Sequence, residues 1–269
     1  MNKEKNNLRI LFVGNSYTNF NSLIVCFKNM VEKQGINVDV EKVAYGNQYL
    51  HDYVNWEEGD YFHKLEEMVS MKQFDIAFMQ GQSREAIEFP NDFYESARRL
   101  YKYLSGFGMK CLMYQTWGYP VGYSELMGQI GCKDTEDMAK KLAAGYEAIA
   151  NELGIDVSPA GSAMLEIFKK YSDNTALLYY ADDNSHPSAV GTYLVALCHY
   201  AKIYGKSPIG INYKFKDYTN DNSITWHATK VDSISDELQR DLEQAAYNAV
   251  FGSSIVTDEY KISSVGITK

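Results

Sequence analysis

The sequence predicts an α/β protein, a three-layer α/β/α sandwich around a mostly parallel, flavodoxin-like sheet of about five strands. Two observations lead there. Short apolar runs alternate with longer stretches of helical periodicity along most of the chain. Such alternation requires parallel pairing through right-handed crossovers, which places helices on both faces of the sheet. The first run, Leu8-Arg9-Ile10-Leu11-Phe12-Val13, is almost continuously apolar up to Gly14, the pattern of a central strand buried on both faces.

The remaining elements follow in order. Leu23, Ile24, Phe27, Met30 and Val31 are spaced for one face of a helix, with Gly35 as its stop. Residues 36–44 alternate apolar and polar, as a strand with one wetter face does. A helix over 64–71 and a strand over 74–79 come next, then a helix over 92–104 broken at Ser105-Gly106 and a strand over 110–116. Asp134 or Thr135 can cap a helix that carries Leu142, Tyr146, Ile149 and Leu153 and ends at Gly154. Residues 155–157 form a short fifth strand, and helices are expected over 164–168 and 190–204. Residues 211–230, rich in Asn, Asp, Thr and Lys, read as a long surface connection to a last amphipathic helix over 236–251. No repeat or linker divides the chain. Residues 1–269 are taken as one domain, with 205–269 as a C-terminal extension packed on it.

Composition narrows the function classes. The net charge of -9 argues against nucleic acid or an anionic membrane as the main partner, since both call for a basic face. Cys26, Cys111, Cys132 and Cys198 are scattered, without the spacing of a zinc site, and are expected to be buried free thiols. His51, His63, His199 and His227 likewise lack ligand spacing, so neither metal nor cofactor is expected, and His199 is read as structural. The apolar stretch Leu8 to Val13 is too short for a signal-peptide core, so a cytoplasmic protein is expected. The sequence is silent on oligomeric state.

Two segments carry chemistry. Gly14-Asn15-Ser16-Tyr17-Thr18 directly follows the first strand, where a serine stands on a tight turn near helix N-terminal N–H groups. Taken alone, it reads more readily as a turn and helix cap. Asp183-Asn184-Ser185-His186-Pro187 precedes the helix over 190–204. A carboxylate three residues before a histidine can reach Nδ1 across a turn, leaving Nε2 free as a base. This segment too reads, alone, as a polar loop and cap. No glycine-rich phosphate cradle follows the first strand, which lowers the nucleotide-binding form of a non-catalytic, flavodoxin-like module.

Together, in this order, the two segments resemble the SGNH/GDSL hydrolases, and among them a bacterial branch whose first block reads GNS before an aromatic and a threonine and whose last block ends SHP. The resemblance spans residues 8–204. It implies Ser16 as nucleophile, His186 as base and Asp183 as its orienting acid. It also implies an oxyanion hole formed by the backbone N–H groups of Ser16 and Gly46 and by a side-chain amide from the third block. That block reads Met79-Gln80-Gly81-Gln82-Ser83 here, without the family's asparagine, so Gln82, or alternatively Gln80, stands for it. Asn15 replaces the aspartate of many members. Asn15, Asn47 and Trp117 are expected around the substrate, although a tryptophan ending a strand reads equally as core. The implied activity is hydrolysis of a small-molecule ester or acylated carbohydrate, with an O-acetyl group as the first expectation and longer acyl chains as the alternative.

Overall fold

A computed structural model of the chain describes residues 7–55, 59–120, 122, 124–228 and 230–262, so both ends of the sequence, including the last part of the 205–269 extension, lie outside the described residues. Five strands, β1 (Asn7–Gly14), β2 (Asn37–Ala44), β3 (Ile76–Met79), β4 (Lys110–Tyr114) and β5 (Asp156–Ser158), form one sheet in the order β2-β1-β3-β4-β5. Every pair is parallel, and the architecture is a three-layer α/β/α sandwich.

Alternation along the strands sorts side chains between the two helical layers. Ile10, Phe12, Ile76, Phe78, Leu112 and Tyr114 face one layer, with α2 (Leu23–Glu32), α8 (Ala160–Lys170) and α9 (Ala189–Tyr204). Leu11, Val13, Ala77, Met79, Cys111 and Met113 face the other, with α3 (Asp60–Met71), α5 (Pro90–Gly106) and α7 (Thr135–Leu153). Asp134 is the cap of α7, its carboxylate accepting from Asp137 N–H at 2.8 Å, and Gly154 ends the helix in the left-handed region (φ 64). Four short helices were not anticipated: α1 (Ser16–Asn19), α4 (Glu85–Glu88), α6 (Ser124–Gln129) and α10 (Phe215–Thr219). Each spans two turns or fewer, too short to leave a periodic signature.

Residues 211–230 are not a plain surface connection. Ile211, Tyr213, Phe215, Tyr218 and Ile224 are buried in the α2–α9 core, and α10 (Phe215–Thr219) forms within the stretch. A few aromatic anchors outweigh the polar residues between them. The final helix α11 (Asp236–Phe251) packs across α8 and α9, so α9 is buried on nearly all sides. Among the described residues no helix is long and apolar enough to cross a membrane.

Register determines where the site lies. Gly14 pairs with Ala44 and Val13 with Met79, so β1, β2 and β3 end level with one another. The segments after residues 14, 44 and 79 therefore emerge together at the carboxyl edge of the sheet, the edge at which such folds bind ligands.

Candidate active site

The turn carrying Ser16 is built from beneath by Gln80, still hydrogen-bonded through its N–H to Val13 O of β1 (2.9 Å). Its Oε1 accepts from Asn15 N–H and Thr18 Oγ1, each at 3.0 Å, and its Nε2 donates to Asn15 Oδ1 (2.8 Å) and to Gly81 O. A Cβ on Gly14 would meet Gln80 Oε1 at 2.5 Å and Thr18 Oγ1 at 2.8 Å, so only glycine permits this approach. Asn15, buried, caps α1 by accepting from Tyr17 N–H (3.1 Å) and donates to Gln48 O (2.9 Å) in the loop after β2. With Tyr17 N–H taken by the cap, the N–H of Ser16 has no protein acceptor among the described residues.

The partner arm comes from residues 179–187, folded back so that Tyr179 bridges Pro187 and Tyr180 N–H donates to His186 O (2.8 Å). Asn184 turns the chain in the left-handed region (φ 49), which asparagine tolerates. Asp183 Oδ1 accepts from the N–H groups of Ser185 (2.8 Å) and His186 (2.9 Å), so Oδ2 is aimed at His186 Nδ1, 2.6 Å away. On the other side of the ring, Nε2 lies 2.7 Å from Ser16 Oγ. Residues 170 positions apart in the sequence thus form one hydrogen-bonded array.

Aromatic groups enclose the imidazole. Phe20 stacks on it face to face (centroids 3.9 Å apart, 13°) and Tyr17 meets it edge-on (5.4 Å, 80°). Tyr17 is in turn stacked on Trp117 (4.2 Å, 8°) and shares a hydrogen bond with Ser185 Oγ (2.8 Å). Burial raises the Tyr17 phenol well above its usual range, so it stays protonated.

The array opens onto a cleft of about 480 Å³ lined by Ser16, Asn15, Gly46, Asn47, Gln82 and His186, with Arg84, Tyr119 and Leu126 on its further side. Two expectations are corrected. Trp117 does not wall the cleft: it is fully buried behind Tyr17, and its indole N–H donates to Ser185 O (3.0 Å), supporting the histidine loop from within. Gln80 does not offer an amide to the cleft, because both of its polar atoms are committed to the serine turn. Gln82 does line the cleft, and its Oε1 accepts from Arg84 N–H (3.3 Å), which leaves the amide nitrogen without a partner among the described residues.

Sequence reasoning passed over Phe20, Tyr17 and Glu85. Glu85 is fully buried and accepts from Gln82 N–H (2.8 Å) and Leu50 N–H (3.2 Å), tying the loop after β3 to the loop after β2. Burial pushes its carboxyl up to about 7, against the pull of those two donors. In the sequence, Ser83-Arg84-Glu85 reads simply as the start of a polar loop. His199, beneath the sheet, shares a hydrogen bond with Ser158 Oγ (2.8 Å), and burial holds its imidazole down to about 3. It is a neutral core group. All four cysteines are buried and free, and no cluster of metal-ligating side chains occurs among the described residues.

No protein-family model matches the chain, and no curated protein matches it by sequence. Solved structures do. A DUF4886-family protein from Bacteroides uniformis matches with a TM-score of 0.67 at 16% identity, over 94% of this chain and 98% of its own. A protein from Slackia heliotrinireducens, described provisionally as an SGNH hydrolase, matches with a TM-score of 0.60 at 24% identity, over 73% of this chain and 98% of its own. An acetylxylan esterase from Geobacillus stearothermophilus matches with a TM-score of 0.52 at 14% identity, over 74% and 94%. The chain has the fold of the SGNH hydrolases.

Proposed function

We propose that this chain is a serine-dependent carboxylic ester hydrolase that removes a small acyl group, acetyl foremost, from a carbohydrate hydroxyl. The observation that carries the reading is the unbroken array from Asp183 through His186 to Ser16 Oγ, with contacts of 2.6 and 2.7 Å at the mouth of a cleft. A cleft of this volume suits a small ligand. The acetylxylan esterase among the fold neighbours supports the choice of acyl group and alcohol.

In this reading His186 Nε2 takes the Ser16 proton as Oγ attacks the ester carbonyl, and Asp183 stabilises the imidazolium. The N–H groups of Ser16 and Gly46 and the amide of Gln82 receive the oxyanion, each such donor being worth on the order of 10²–10³ in rate. The alcohol leaves with the proton from His186. Water, activated by the same imidazole, then releases the acid from the acyl-enzyme.

The test is hydrolysis of p-nitrophenyl acetate by the wild type and by Ser16→Ala. The wild type is expected to turn over and the variant to fall to the uncatalysed rate; equal rates would refute the esterase reading. Acetate is expected to be preferred over octanoate, and the reverse order would refute the small-acyl assignment alone.

A further inference from the structure

Asn21 is a fully buried polar residue, in the left-handed region (φ 49, ψ 31) and followed by Ser22 in the same region (φ 54). Its side chain uses its whole hydrogen-bonding capacity on two distant segments. Nδ2 donates to Pro187 O (3.0 Å) and Thr192 Oγ1 (3.1 Å), at the end of the histidine loop and the start of α9. Oδ1 accepts from the N–H groups of His227 (3.1 Å) and Ala228 (3.0 Å), in the C-terminal segment. The backbone joins in: Tyr218 Oη donates to Asn21 O (2.6 Å), and Asn21 N–H donates to His227 Nδ1 (3.3 Å). Ser22 Oγ adds a fifth tie to that segment by accepting from Thr225 N–H (2.9 Å).

The residue before this junction is Phe20. Its ring stacks on His186 and also on His227 (5.0 Å, 26°). Two residues in the left-handed region other than glycine are costly unless the surroundings hold them, and here they are held by Pro187 and Thr192 on one side and by the C-terminal segment on the other. We propose that Asn21 and His227 are positioning residues. Through them the C-terminal segment sets the Phe20 ring against the His186 imidazole and keeps Nε2 in line with Ser16 Oγ. The segment is then part of the active site, not an appendage. This inference rests on the reading of His186 as general base.

His227 is exposed, so truncating it opens no cavity in the core, although it removes the acceptor of Asn21 N–H. With p-nitrophenyl acetate, His227→Ala is expected to lower kcat about tenfold with KM nearly unchanged, as displacement of a catalytic group does. His227→Phe, which keeps the ring against Phe20, is expected to recover most of that loss. Asn21→Gly, which suits the left-handed backbone but removes the amide, is expected to act like His227→Ala or more severely. A second readout needs no substrate: the low-field proton resonance of the His186 Nδ1–H···Asp183 bond is expected to broaden in His227→Ala while the protein still unfolds in one cooperative transition. Wild-type kcat together with an unchanged resonance in His227→Ala would overturn the proposal. So would a raised KM at unchanged kcat, which would make His227 a substrate contact. If the wild type hydrolyses no ester, the esterase reading fails, and the resonance still decides whether the C-terminal segment holds the imidazole.

Discussion

Replacing Glu85 by glutamine separates the charge of this buried carboxyl from its shape. In the folded protein burial is the largest influence on it, Asp52 and Asp92 add to the effect, and the donors Gln82 N–H and Leu50 N–H oppose it, so the group titrates at about 7 instead of its usual 4.5. The unfolded chain releases this proton around 4.5 whereas the native state keeps it to about 7. Between those values the native state binds more protons, so stability declines as pH rises and stays lower above the window. A displacement of this size corresponds to roughly 3 kcal/mol. Glu85→Gln carries no titrating proton. Denaturant unfolding of both proteins, below 4.5 and above 7, should therefore show the glutamine variant gaining about 3 kcal/mol on the wild type across the window. Any fixed difference from altered hydrogen bonding cancels in that comparison. A gap that stays constant with pH would refute the argument and mean that the carboxyl titrates at the same pH in the folded and the unfolded chain.

Three further outcomes are expected. Asp183→Asn keeps the size of the side chain but cannot hold the Nδ1–H tautomer, so kcat on p-nitrophenyl acetate should fall by about 10⁴ with the fold unchanged; a loss below tenfold would remove Asp183 from its proposed role. His199, held down to about 3 from 6.5 by burial, binds its extra proton only in the unfolded chain, so the wild type should lose stability as pH falls through 6.5. His199→Gln should flatten that acid limb in urea titrations, and parallel curves would refute it. Gly14→Ala forces a Cβ into contacts of 2.5 and 2.8 Å with Gln80 and Thr18. It should destabilise the fold by about 1–3 kcal/mol, the usual range for overpacking, and lower kcat by displacing Ser16; unchanged melting and kcat would show that the turn gives way freely.

What could be read from the sequence was what short-range physics encodes. The apolar run into Gly14 marked β1, Asp134 or Thr135 as a cap and Gly154 as a stop marked helix ends, and the final helix was placed at 236–251, its observed span. Ser16 and the Asp183–His186 pair stood out only together, as two compact segments whose order resembles the SGNH/GDSL hydrolases. The same local grammar misled over 211–230, where polar residues outnumber the buried Tyr213, Phe215 and Tyr218 that determine its course.

Tertiary structure alone decided the rest. Gln80 and Gln82 look alike in sequence, yet one is still bonded to β1 beneath the serine turn while the other lies past Gly81 and faces the cleft. Trp117 became a support instead of a wall because Tyr17 fills the space in front of it. The meeting of Ser16 with His186, and of Asn21 with His227, depends on strand order and helix packing that no local pattern encodes. Sequence patterns report what a residue does to its own few neighbours, whereas a site is made by contacts whose partners are set only when the whole core packs.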